Sequence, residues 1–167
     1  RNPYFTNYIL KNIMKEKILV SACLIGENCR YDGKSNLRKE VLALAKYYDL
    51  IPVCPEVNGG MKTPRPNSEI IGDKVINVRG KDETQFYYDG AYWATSIARI
   101  YNIKLAVMKE RSPSCGCKVI HNGKFDGKVI PGKGIAVRQL EKMGVKVIDE
   151  DDAVELLKQL EENNNAK

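Results

Sequence analysis

Five cysteines and a single histidine supply this chain's thiol and imidazole groups, the softer metal ligands and readily activated nucleophiles. Three of the cysteines share one context: Cys23 in "KILVSACL", Cys54 in "LIPVCPE" and Cys115 in "KLAVMKERSPSCGC". Each stands at or just past the end of a short, apolar, β-rich run of the kind that forms a buried parallel strand. Thiols so placed can form a disulfide, a reactive nucleophile or a metal site, or can simply fill space. The odd count argues against a disulfide framework. A structural zinc site wants four ligands, usually in paired Cys-x-x-Cys knuckles, and the only close pair here is Cys115–Cys117. Three thiolates with a fourth position left open suit an iron–sulfur cluster whose free iron acts as a Lewis acid. Space-filling is the alternative for these three. It is the preferred reading for Cys29 and Cys117, which lack the strand-end address. His121 lies beside an Asn-Gly turn with no ligand partner nearby in sequence, and reads as a surface residue.

The elements that would position these thiols are legible from periodicity. Strands are expected at 17–24, 50–54, 74–80, 103–109 and 145–149. Helical spacing marks 36–48, 83–102, 134–144 and 151–163, with Asp89-Gly90 weakening the second and Asp149 or Asp151 capping the last. The segment 55–70, rich in Pro and Gly, reads as a long and therefore functional loop. Residues 118–131 read as a hairpin around Asn122-Gly123. Strands alternating with helices predict an α/β fold: a single domain with a mostly parallel, Rossmann-like sheet flanked by helices. In such sheets ligands bind outside the C-terminal strand ends, so Cys23, Cys54 and Cys115 are expected to converge there. The domain is expected over 14–162. Residues 1–13 would be an extension ahead of the natural start at Met14, and 163–167 a disordered tail.

A hydrophobic content of 43% excludes a disordered chain. The net charge of +6 leans only weakly towards an anionic partner such as RNA. No apolar run approaches the roughly 18 residues of a membrane span, and nothing at the start resembles a signal peptide. The expected location is therefore the reducing cytoplasm, where cysteines serve metal or thiol chemistry.

Three segments carry a resemblance. "ILVSACLIGENCRYDG", "VCPEVNGGMKTPRPNSEI" and "KERSPSCGCKVIHNGKFDGKVIPGKGIAVRQL" resemble, in order, the motifs of the thiouracil desulfidase family, long known as a domain of unknown function. The resemblance covers about 17–150. It implies a 4Fe–4S cluster held by Cys23, Cys54 and Cys115, with one iron free to bind a thiocarbonyl sulfur. It implies non-redox replacement of that sulfur by water, on a thiolated pyrimidine that is free or within RNA. It assigns catalytic roles to Glu56 and Ser112. Cys29 and Cys117 depart from the family pattern without touching the implied ligands.

The residue chemistry agrees. Cys-Pro-Glu brings a carboxylate close to the Cys54 thiol, where it can take a proton from water and return it to sulfur. Ser112 can hydrogen-bond substrate, water or Glu56, or merely cap its loop. Arg65 and Ser114 are the expected substrate contacts, although a solvated Arg65 is the commoner state of such a residue. Gly132 and Gly134, ahead of a helix, suit either an anion site or a tight turn. Two other functions fit the same residues: a sulfide- or redox-responsive iron–sulfur module without turnover, and a thiol enzyme with Cys115 as nucleophile and His121 as base.

Overall fold

A computed structural model describes residues 3–4 and 14–167. The expected extension 1–13 lies, apart from residues 3–4, outside the described residues. The central sheet has four parallel strands in the order β2-β1-β5-β8: β2 (Asp49–Val53), β1 (Lys17–Ser21), β5 (Leu105–Val107) and β8 (Lys146–Ile148). Two antiparallel pairs sit outside it: β3 (Ser68–Ile71) with β4 (Lys74–Asn77), and β6 (Val119–His121) with β7 (Val129–Pro131). The helices are α1 (Lys39–Ala43), α2 (Pro55–Asn58), α3 (Thr84–Ile100), α4 (Ile135–Lys142) and α5 (Glu150–Asn165).

The alternation of β1 sorts the core into two layers. Ile18 and Val20 face Val41, Leu44, Ala153 and Leu157, the inner residues of α1, the turn after it and α5. Leu19 faces Ala94, Ala98, Val137 and Leu140 of α3 and α4. Ile18, Leu19 and Val20 are fully buried, which is why this strand reads as an unbroken apolar run rather than an alternating one. The α/β expectation is thus met, with helices on both faces.

Several boundaries differ from expectation. The run 17–24 leaves the sheet after Ser21 and turns through a 3₁₀ segment, Ala22–Ile25, closed by Gly26 at φ 102°. That turn swings Cys23 away from the strand line. The expected helix 36–48 shrinks to α1 plus a 3₁₀ turn, Leu44–Lys46. The loop 55–70 opens with one helical turn and closes in β3. The hairpin strands are joined by a longer loop, 122–128, instead of a tight two-residue turn. Finally, α3 runs unbroken through Asp89-Gly90.

The N-cap of α5 is Asp149. Its side chain accepts from the backbone N–H of Asp151 and Asp152 at 2.9 and 2.8 Å, and Asp152 answers the Asp149 N–H in a capping box. Burial opposes ionisation of Asp149, but these N–H groups and Lys118 outweigh it and hold its carboxyl below the usual range. Asp149→Ala is expected to cost about 1 kcal/mol near neutrality. A carboxylate whose folded pKa is depressed contributes fully above its unfolded value of about 4, and the contribution disappears as pH falls through the folded one. Urea unfolding at pH 7 and pH 3 checks this: the gap between wild type and variant must narrow at the lower pH.

Candidate functional site

The chain leaves β1 towards β2 on one side and returns to β5 on the other, so the switch in strand order lies between β1 and β5. The crevice outside the strand ends there is where open α/β sheets take their ligands. A cavity of about 410 Å³ occupies it, and its walls include Cys23, Cys29, Cys54 and Cys115 together with Glu56 and Ser112. Cys23 follows β1, Cys54 follows β2 as the residue before α2, and Cys115 lies in the loop between β5 and β6.

The thiols differ in their surroundings. The Cys29 thiol hydrogen-bonds the Cys23 sulfur, and this, with the Asn36 amide at 3.4 Å, overcomes burial and brings the Cys23 pKa down to about 7. Cys54 is lowered chiefly by the same thiol. Cys29 itself is pushed up, because it donates to both neighbours. Cys115 is buried, and burial raises it to about 12. A bound metal deprotonates coordinating thiols outright, so these values describe the metal-free protein.

Glu56 is anchored in the cavity wall by three side chains. Its Oε1 accepts from Arg65 Nε at 3.2 Å and Tyr87 Oη at 2.9 Å, and its Oε2 accepts from Ser114 Oγ at 3.0 Å. The Ser114 proton is committed to Glu56, so in the 2.9 Å contact with Ser112 the donor is Ser112. Ser112 Oγ also accepts from the N–H groups of Ser114 and Cys115 at 3.2 and 3.1 Å. Ser112 therefore caps its own loop and reaches Glu56 through Ser114. Tyr87 lies on the buried face of α3, and burial, with the Glu56 charge beside it, pushes its phenol well above the ordinary range.

The loop that carries Cys115 is fixed from two sides. The first N–H groups of α4 and its cap bond its carbonyls: Ile135 to Pro113 at 2.9 Å, Ala136 to Ser114 at 3.0 Å and Gly134 to Gly116 at 2.8 Å. The Gly132–Gly134 segment thus serves a tight junction, since these donors are occupied by the loop and an anion has no place there. Glu110 Oε1 accepts from Cys117, Lys118 and Val119 N–H at 3.0 to 3.2 Å. Glu110, Cys117 and Asp149 bring ligand-type atoms within 4.8 Å of one another. Their oxygens are already engaged: Glu110 by these amides, and Asp149 by Lys118 at 2.9 Å and its own cap. The group is a latch for the loop, and the buried Cys117 thiol donates to Glu110 Oε2 at 3.6 Å.

Three expectations change. Arg65 is not a solvated arginine: its side chain is 5% exposed and tied to Glu56, Thr63 and the Cys29 carbonyl. A buried guanidinium so engaged holds the carboxylate in place. His121 is half-buried in the cavity wall, and its Nδ1 has no partner among the described residues, so it is no surface residue. Cys29 is only partly buried and lines the cavity together with Cys23 and Cys54, which is not the place of a space filler. Tyr87 was missed entirely; its helical register marks only a core residue, and no local signal points to Glu56.

Comparison with known proteins is consistent with this geometry. Residues 18–152 match the 2-thiouracil desulfurase family, and the chain belongs to it. It is 37% identical over 150 residues to the uncharacterized protein YbbK of Bacillus subtilis (strain 168), covering 84% of this chain and 99% of that one. A solved structure, that of the 4Fe-4S-dependent thiouracil desulfidase TudS, superposes with a TM-score of 0.81 at 40% identity, over 88% of this chain and 99% of the other. Among the described residues no helix is long and apolar enough to cross a membrane.

Proposed function

We propose that this protein is a 4Fe–4S-dependent desulfidase that replaces the sulfur of a thiolated pyrimidine, free or carried in RNA, with oxygen from water. The observation that carries the reading is the convergence of Cys23, Cys54 and Cys115 on one cavity with the anchored carboxylate of Glu56. The likeness to TudS supports the choice of cofactor. The residues fit the group: soft thiolates from three separate strand ends, none from a zinc knuckle, are the donor set iron–sulfur clusters use. When bound, the cluster supplies a Lewis-acidic iron with an affinity for the thiocarbonyl sulfur.

The chain supplies the proton chemistry. Glu56 takes a proton from the water that attacks the thiocarbonyl carbon, and gives a proton to the departing sulfur. The balance is C=S plus water to C=O plus hydrogen sulfide, with no electron transferred. Arg65 and Tyr87 hold one oxygen of Glu56, so that the other, shared with Ser114, faces the work. The Ser112–Ser114 hydroxyl pair extends the hydrogen bonding of Glu56 along the cavity wall.

The test is anaerobic reconstitution of wild type and Cys54→Ala, followed by iron and acid-labile sulfide analysis and incubation with 2-thiouracil. Wild type is expected to hold about four iron and four sulfide per chain, and to release sulfide and uracil in equal amounts; the variant should lack both cluster and turnover. Wild type that takes up no iron would overturn the reading. Cluster-loaded protein that binds sulfide but releases no product from any thiolated base would replace it with a sulfide-responsive module.

A further inference from the structure

The cavity is lined by four thiols, and the proposed chemistry uses three. The fourth, Cys29, is held in place by a built support. The strap from 26 to 38 is tied back to the strand ends: Asn36 N–H donates to the Cys23 carbonyl at 2.9 Å, and Arg38 N–H to the Leu24 carbonyl at 2.9 Å. Arg65 fixes its middle. The Arg65 N–H donates to the Tyr31 carbonyl at 2.8 Å, and its Nη2 donates to the Cys29 carbonyl at 2.8 Å. The same guanidinium grips Glu56. One buried cation therefore sets the Cys29 backbone relative to the catalytic carboxylate. The Cys54 sulfur lies 3.9 Å from the Cys29 carbonyl, and Cys29 lines the same cavity as Cys23, Cys54 and Cys115. A thiol present only for packing would sit among apolar neighbours. Cys29 is only partly buried and joins a cluster of sulfurs at the cavity wall.

We propose that Cys29 is a fourth, exchangeable thiolate ligand, which closes the coordination position left open by Cys23, Cys54 and Cys115 until a thiocarbonyl substrate displaces it. The inference rests on the desulfidase reading. The exchange moves no electrons. One iron–sulfur bond to Cys29 breaks, one to the substrate sulfur forms, and the released thiolate takes up a proton. A soft thiolate competes well for iron, and in its place between turnovers it keeps oxygen and water from the exposed metal. Cys29 lies on a strap rather than a strand end, which suits a ligand that must leave.

Alkylation of the anaerobic, cluster-loaded wild type tests this directly. Iron content is measured first. The protein is then treated with iodoacetamide with and without saturating 2-thiouracil, and labelling of Cys29 within the tryptic peptide 18–30 is followed by mass spectrometry. Iron coordination blocks alkylation, whereas a released Cys29 reacts through its thiolate fraction, so Cys29 is expected to react roughly tenfold faster with 2-thiouracil present, while Cys23 stays protected in both states. Equal labelling of Cys29 in protein with about four iron per chain would overturn the proposal and leave the desulfidase reading standing. Absence of iron in reconstituted protein would overturn both. A second readout uses Cys29→Ser, whose loop position spares the core. Its visible absorbance should bleach in air several-fold faster than that of wild type, and identical bleaching would count against an iron-bound Cys29.

Discussion

Glu56→Gln is expected to lower kcat for 2-thiouracil by about 10²- to 10⁴-fold, the usual contribution of a general acid–base group, while iron and sulfide per chain stay at the wild-type level. The reason is visible in the contacts of the carboxylate. Glutamine keeps the volume and one oxygen acceptor, so the cavity wall stays filled. It cannot take a proton from water. It also turns an amide N–H₂ towards one set of donors, either Arg65 and Tyr87 or Ser114, all of which now donate to the carboxylate. The cost falls on catalysis and on local stability, because Arg65 loses the counter-charge for a side chain that is almost wholly buried. Cys54 stands two residues away on the backbone, and its sulfur makes no contact with that side chain that the exchange would remove, so metal content is the control. Turnover within twofold of wild type would mean that the base lies elsewhere in the cavity.

Gly90→Ala should be the most damaging small substitution outside the cavity. By helix propensity alone it would stabilise the long helix α3, since alanine is favoured over glycine by about 1 kcal/mol. Tertiary geometry reverses the sign. A Cβ at Gly90 would stand 1.8 Å from the Pro55 carbonyl oxygen and 2.5 Å from its carbon. Both are backbone atoms, so no side chain can swing aside. The helix or the Cys54-Pro55-Glu56 turn must move, and overpacking of this kind costs about 3 kcal/mol or more. For a chain of this size that corresponds to a fall in Tm of roughly 6 to 12 °C. Displacing the turn also moves a proposed ligand and the proposed base together, so iron uptake on reconstitution should fall as well. A variant with wild-type Tm would show that α2 and α3 do not meet at this point. Differential scanning calorimetry with iron analysis reads both effects.

The Gly90 contact also explains why Asp89-Gly90 looked like a weak point in the sequence. Read locally, glycine in a helix is a defect. In the fold it is the notch that lets α2 approach α3 and sets Glu56 against Tyr87.

The rest divides along the same line. The sequence by itself determined what depends on near neighbours. Apolar β-rich runs placed β1, β2, β5 and β8, the alternation with helical spacing implied a parallel sheet, and the cap of the last helix was narrowed to Asp149 or Asp151. Because the strand direction was then known, the common address of Cys23, Cys54 and Cys115 followed, as did the nearness of Glu56 to Cys54 two residues along the chain. Only the tertiary structure decided which distant side chains meet. Arg65 is nine residues from Glu56 and Tyr87 thirty-one, and nothing periodic links them. Cys29 sits on an irregular strap whose path is set by single hydrogen bonds to Cys23, Leu24 and Arg65. Such paths are fixed by long-range donors and acceptors finding one another in the folded chain, and local sequence carries no record of them.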